Sequence, residues 1–198
     1  DSGAVVLPDQ RSKPALDLHA TVSDEVHAGR VESLLERLVA GDVYEANLTR
    51  RFVAKPCRPE GLFLSLAQHA PAPYAAYLET DFGHLVCNSP EGFLRLDTDG
   101  QVSTFPIKGT RPRGADADHD QRLRDELYSD DKERAEHLMV VDLLRNDLGR
   151  VCEAGSIRCG PLFDLVAYPG VWHMVTEISG QLRPELTRAQ LLAATLPA

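Results

Sequence analysis

The stretch GFLRLDTDGQVSTFPIKGTRPRG, residues 92–114, decides the fold class. It holds two strand-like runs, GFLRLD (92–97) and QVSTFPI (101–107), in which apolar and polar residues alternate. Two more such runs precede it, YAAYLE (74–79) and HLVCN (84–88). The acidic loop GADADHD (114–120) closes the series, and helical patterns follow at about 120–128 and 131–148. GSIRCG (155–160) and VWHMVTEISGQL (171–182) read as strands again, and 186–195 as a last helix. Strands grouped ahead of helices predict an α+β fold with antiparallel sheet.

Upstream, residues 1–22 carry prolines and little periodicity and read as an extended leading segment. Ser23, followed by Asp24 and Glu25, supplies an oxygen cap and negative charge for a helix start. Val31, Leu34, Leu35 and Leu38 follow at helical spacing, and Gly41 stops the run. VYEANLTRRF (43–52) then alternates, with Tyr44, Ala46, Leu48 and Phe52 on one face and Glu45, Asn47 and Thr49 on the other. Pro59 opens a short helix that runs to about His69.

Composition narrows the function classes. The 198 residues are 43% hydrophobic, enough for a real core, and carry a formal net charge of -9. That charge excludes a generic nucleic-acid binder, which needs a basic face, but allows a local basic pocket for an anionic small molecule. No apolar run reaches the roughly 20 residues of a membrane span, and no signal-peptide pattern is present. The four cysteines, Cys57, Cys87, Cys152 and Cys159, form no C-x-x-C pair, which points to reduced thiols and a cytoplasmic setting.

Several residues are candidates for chemistry. Lys108 follows Phe105, Pro106 and Ile107 and precedes Gly109, which lets a ligand or another backbone approach closely. Apolar surroundings favour the neutral amine, so Lys108 is either a nucleophile or a strand-end lysine in water. Glu91, in NSPEGFLRL, is either a general acid at a sheet edge or an exposed turn glutamate. Glu133, Glu136, Val140, Leu144 and Asp147 fall on one helical face. Two carboxylates three residues apart suit a hard cation such as magnesium (Mg²⁺), or are ordinary acids near a helix start. The segment 138–144 is apolar nearly all round, which predicts a buried helix, and Asp142 with Arg145 is expected as a structural ion pair. His173 sits in an apolar strand as a packed core residue or a ligand. Arg111 and Arg113 are placed to bind carboxylates or to meet solvent in a turn.

Taken together, YEANLTRRF, SPEGFLRL, PIKGTRPRG, KERAEHLMVVDLLRNDLGRV and WHMVTEISGQL resemble the chorismate-utilising enzyme family, over about residues 23–198. The resemblance implies two antiparallel sheets packed as a sandwich with outer helices. Anthranilate and isochorismate synthases of the family typically read Pro-Ile-Ala-Gly-Thr where this chain reads Pro-Ile-Lys-Gly-Thr. The lysine is similar to that of the aminodeoxychorismate synthase branch, whose component I joins chorismate and ammonia through a covalent lysine intermediate. By this resemblance Lys108 is the nucleophile, Glu91 protonates the leaving hydroxyl and His173 faces the ring. Gly109, Thr110 and Glu45 line the substrate pocket, and Glu136 and Glu133 hold Mg²⁺. Glu45 departs from the family pattern, which has glutamine or lysine there. PAPYA (71–75) is similar to a stretch that contacts tryptophan in relatives, which makes Pro73, Tyr74 and Ala75 possible tryptophan contacts.

The implied partner is a glutamine amidotransferase subunit or domain that supplies ammonia. LLAATLPA (191–198) ends where relatives continue, so residues 23–198 are expected to be the N-terminal part of a catalytic domain lacking its C-terminal part. Anthranilate synthase component I is the alternative activity; a truncated, non-catalytic chorismate-fold module that binds a partner or ligand is the alternative of another class.

Overall fold

The computed structural model describes residues 17–43, 46–55 and 57–196. Its contacts divide the chain into two units, residues 1–65 and 66–198.

In the first unit, β1 (Leu18–Ala20) precedes α1 (Asp24–Ala40) and pairs antiparallel with β2 (Phe52–Ala54). The helix begins where its cap predicts: Ser23 Oγ accepts from the Val26 N–H at 3.4 Å. It ends at Gly41, whose φ of 78° is the left-handed conformation that glycine adopts without penalty. Arg50 ties the returning chain to the helix start through Asp24 Oδ1 at 2.7 Å. Of the described residues in the alternating run 43–52, only Phe52 is in a strand. β1 offers three partner residues, the last pairing Ala20 with Phe52, and alternation without a partner ladder does not make a strand. Glu45 lies outside the described residues. The helix α2 (Pro59–His69) starts and stops at its predicted ends.

The second unit is built from antiparallel strands. β3 (Tyr74–Thr80) and β4 (Gly83–Ser89) form a hairpin. The next strands are β5 (Gly92–Leu96), β6 (Gln101–Phe105), β7 (Ile107–Pro112), β8 (Arg158–Cys159), β9 (Asp164–Tyr168), β10 (Val171–Val175) and β11 (Ile178–Gln181). They pair in two sheets, in the orders β5-β6-β11-β8 and β7-β10-β9. The helices are α3 (Ala117–Ser129), α4 (Asp131–Gly149) and α5 (Arg188–Thr195). This is the expected α+β layout with antiparallel sheets.

Two runs expected as single strands are broken. Pro106 is buried between β6 and β7, and because it has no N–H it ends one ladder and starts the other. The run 171–182 breaks at Thr176 and Glu177, so that β10 and β11 also fall in different sheets. Both connections step from one sheet to the other. The strand β9 has no counterpart in the sequence reading.

The core lies between α4 and the four-stranded sheet, with Val102, Val141, Leu144, Leu148, Ile178, Leu182 and Leu191 buried. Burial on α4 is one-sided: His137, Val141, Leu144, Asp147 and Leu148 are buried, whereas Leu138 and Asp142 are exposed. The expectation of near all-round burial is therefore corrected to one face. Asp142 and Arg145 do pair, at 2.9 Å, but with side chains 70% and 60% exposed, where an ion pair adds little.

Candidate active site

The register between β7 and β10 carries the central observation. Thr110 stands opposite His173 and Ile107 opposite Val175, with an irregularity between. Two residues of β7, Lys108 and Gly109, therefore face the single residue Met174. This is a β-bulge, a feature that re-aims a side chain and collects beside active sites. Gly109 adopts φ 86°, which a side chain would resist. Lys108 is half-buried and lies inside a strand, not at its end.

Glu91 reaches the same place from the turn before β5. Its Oε1 accepts from the Ile107 N–H at 3.0 Å, one residue before Lys108. The turn is fixed by Ser89, whose Oγ accepts from the Glu91 N–H at 3.2 Å. Glu91 is exposed on this turn, the setting of its alternative reading. Behind it, the Tyr74 ring lies directly over Gly92; a Cβ there would stand 2.3 Å from Tyr74 Cζ. Tyr74 therefore sits beside Glu91, while Pro73 and Ala75 flank it at the start of β3.

His173 meets Thr110 Oγ1 through Nδ1 at 3.0 Å and lies edge-on to Tyr168 with centroids 5.3 Å apart. Burial holds its imidazole below the usual histidine value, opposed by hydrogen bonding with the Gly109 backbone and by the Glu91 charge. Burial also pushes the Tyr168 phenol up, with Tyr74 close enough to add to the effect.

Gly109 joins this strand to α4. A Cβ there would stand 3.4 Å from Glu133 Oε2, so the glycine leaves room for that carboxylate beside the bulge. Glu133 also lies 3.6 Å from Arg111 Nη1, with its side chain 21% exposed. Glu136, one turn on, is 44% exposed and pairs with Lys132 at 2.9 Å. Among the described residues no group of three or more His, Cys, Asp and Glu is arranged to hold a metal ion. Glu133 and Glu136 stand three residues apart on α4, oxygen donors of the kind a hard cation takes, and each is engaged here by a cationic side chain, Arg111 and Lys132.

The arginines next to Lys108 are already used. Arg111 donates to Glu126 at 2.9 Å and to Asp130 at 2.8 Å. Arg113 pairs with Asp120 and stacks on Trp172 at 4.6 Å. Both arginines bind carboxylates, as the sequence reading allowed, and those carboxylates belong to the chain itself, so the pair braces β7 against α3 and its neighbours instead of meeting solvent. Asp130 caps α4 as well, accepting from the Lys132 and Glu133 N–H groups at 3.0 and 3.1 Å.

Lys108, Glu91, Gly109, Thr110, His173 and Glu133 are thus gathered around one bulge, with Glu136 on the adjoining helical turn. Sequence reading missed the bulge, Tyr168 and the bracing role of Arg111. The one signal for the bulge was a glycine inside a strand pattern. A groove lined by Leu138, Val141, Asp142, Arg145, Cys159, Gly160 and Leu162 shares no residue with the cluster. The four cysteines are free thiols. No helix among the described residues is long and apolar enough to cross a membrane.

Comparison with known proteins gives concordant matches. The family described as chorismate binding enzyme matches residues 5–198. Over 193 residues the chain is 38% identical to an aminodeoxychorismate synthase of Streptomyces pristinaespiralis, covering 97% of this chain and 27% of that protein. Over 169 residues it is 40% identical to anthranilate synthase component 1 of Aquifex aeolicus, covering 85% of this chain and 34% of that protein. The crystal structure of anthranilate synthase component I from Streptococcus pneumoniae superposes with a TM-score of 0.82 at 32% identity, covering 92% of this chain and 40% of that one. The chain therefore spans less than half the length of each of these relatives.

Proposed function

The chain belongs to the chorismate-binding enzyme family, and from that premise we propose that it forms part of an aminodeoxychorismate synthase component I. The observation that carries the choice is Lys108 on the β7 bulge, with the Glu91 carboxylate hydrogen-bonded to the adjoining backbone. In the first step the neutral Lys108 Nζ forms a bond to C2 of chorismate. The ring double bonds shift and the C4–oxygen bond breaks. The Glu91 carboxyl group delivers a proton, so the hydroxyl leaves as water. In the second step ammonia adds at C4, the Nζ–C2 bond breaks to return the free amine, and the extra proton on the added nitrogen returns to Glu91 as 4-amino-4-deoxychorismate is released. The covalent bond reserves C4 for ammonia against water.

Thr110 would hold His173 toward the ring through the hydrogen bond between them, and Gly109 leaves room for the Glu133 carboxylate beside it. Glu136 and Glu133 would hold Mg²⁺. That ion, when bound, offsets repulsion between the anionic substrate and a chain of net charge -9. Ammonia would come from a glutamine amidotransferase partner, and the product would feed p-aminobenzoate synthesis. Two matches favour anthranilate synthase component I as a second reading: the 40% identity to the Aquifex protein and the TM-score of 0.82. Lys108 stands against it.

Product analysis separates the two. The full-length protein with chorismate, ammonium and Mg²⁺ should yield 4-amino-4-deoxychorismate. Accumulation of fluorescent anthranilate would rule out the proposed activity.

A further inference from the structure

Thr176 lies where the chain leaves β10 for β11, three residues beyond His173. Its hydroxyl meets three groups: His137 Nε2 of α4 at 2.8 Å and, from the segment before β9, the Phe163 N–H at 3.3 Å and the Pro161 carbonyl at 3.5 Å. His137 is 0% exposed and directly follows Glu136. A single hydrogen bond thus joins the neighbour of one candidate metal ligand to the end of the strand that carries His173.

The hydrogen bookkeeping gives the bond a direction. The hydroxyl has one proton, and the Phe163 N–H donates to it. Serving the Pro161 carbonyl requires His137 Nε2 to donate, which leaves Nδ1 as a bare acceptor; that atom is buried without a partner. Phe163 supplies a second restraint. Its φ of 63° makes it the only non-glycine residue with positive φ among the described residues, a conformation that persists only where surroundings enforce it. Its ring packs against His137 with centroids 5.8 Å apart and lies 4.1 Å from the Arg134 guanidinium. Arg134 directly follows Glu133 and His137 directly follows Glu136, so the two contacts fall on the helical turn that bears both carboxylates.

We propose that His137, Thr176 and Phe163 form a latch that positions this turn relative to His173, and so sets the affinity of the two carboxylates for a divalent cation. They are positioning residues, and the inference rests on the metal reading given under Proposed function. Core filling alone would give the same burial, but it would not couple the Thr176 hydroxyl to metal affinity.

The test is calorimetric Mg²⁺ binding by the full-length protein without substrate. Thr176→Val should raise the dissociation constant about 10-fold, and Thr176→Ser should stay within about 2-fold of wild type. Val102→Ala, a core change outside the latch, should lower the melting temperature without moving the metal affinity. Wild-type affinity in Thr176→Val, or an equal loss in Val102→Ala, overturns the latch. If Thr176→Val fails to fold, Phe163→Gly carries the test. It keeps the φ but removes the ring, and it should weaken binding similarly; wild-type affinity there also overturns the proposal. Glu136→Ala distinguishes the levels. Unchanged binding in that variant removes the metal reading and the latch with it. Lost binding there, with Thr176→Val unaffected, removes the latch alone.

Discussion

Replacing Gly109 with alanine should destabilise the protein by about 2–4 kcal/mol and disturb the bulge that presents Lys108. A left-handed φ of 86° in a residue with a Cβ costs about 1–2 kcal/mol. The new Cβ would also stand 3.0 Å from Leu127 Cδ1 and 3.4 Å from Glu133 Cβ and Oε2. Leu127 is fully buried, so it has little room to yield, and overpacking of this kind costs about 1–3 kcal/mol. Taking the lower half of that range gives the total. Thermal melting should fall by roughly 6–12 °C for a loss near 3 kcal/mol in a chain of this size. Gly155→Ala is the control: its φ is 77° but nothing lies within 4 Å of the added atom, so only the backbone contribution remains. A Gly109→Ala loss no larger than that of Gly155→Ala would show that β7 does not press against Glu133 as described.

Three further outcomes are expected. Lys108→Ala in the full-length protein should abolish 4-amino-4-deoxychorismate formation at low ammonia, as read by product chromatography; wild-type turnover would refute the nucleophile. Glu136→Ala should raise the Mg²⁺ concentration needed for half-maximal activity by at least about 10-fold, and an unchanged titration would count against its ligand role. Burial pushes the His137 imidazole down to about 4 from an ordinary 6.5, so the unfolded chain takes up this proton first. Stability present above pH 6.5 should therefore be lost as pH falls toward 4, by about 1–2 kcal/mol after allowance for solvent relaxation around a charged ring. His137→Gln should flatten that slope in urea titrations, and an unaltered slope would contradict it.

Helix ends were legible in the sequence because their chemistry is local. Ser23, Gly41 and Pro59 each satisfy or omit a terminal backbone group, and helices start or stop beside them, whereas α3 begins at Ala117, inside the run read as a loop, where Asp116 caps it. Strands were legible as runs but not as sheets. Alternation reports which side chains share a face, whereas sheet membership depends on distant partners. The breaks at Pro106 and Thr176 were accordingly read through, and residues 46–51, read as strand, find no ladder. One-sided burial of α4 was hidden for a related reason: Leu138 is apolar yet exposed.

The site shows the same division. Lys108, Glu91, His173, Glu133 and Glu136 stood out by residue type and wording, and the fold draws the first four to one bulge. That Arg111 and Arg113 bind carboxylates was legible, but which carboxylates was not, because Asp120 and Glu126 on α3 and Asp130 at the cap of α4 come near only in the fold. Tyr168 went unread because nothing in its own neighbourhood marks it; its contact with His173 arises across the β9–β10 pair.

The most direct measurement is peptide mass spectrometry of the full-length protein quenched after incubation with chorismate and Mg²⁺ in the absence of ammonia. An adduct of chorismate less water should sit on the peptide bearing Lys108, and it should disappear when ammonium is added. An unmodified Lys108 in a preparation that still turns chorismate into amino product would contradict covalent participation by that amine.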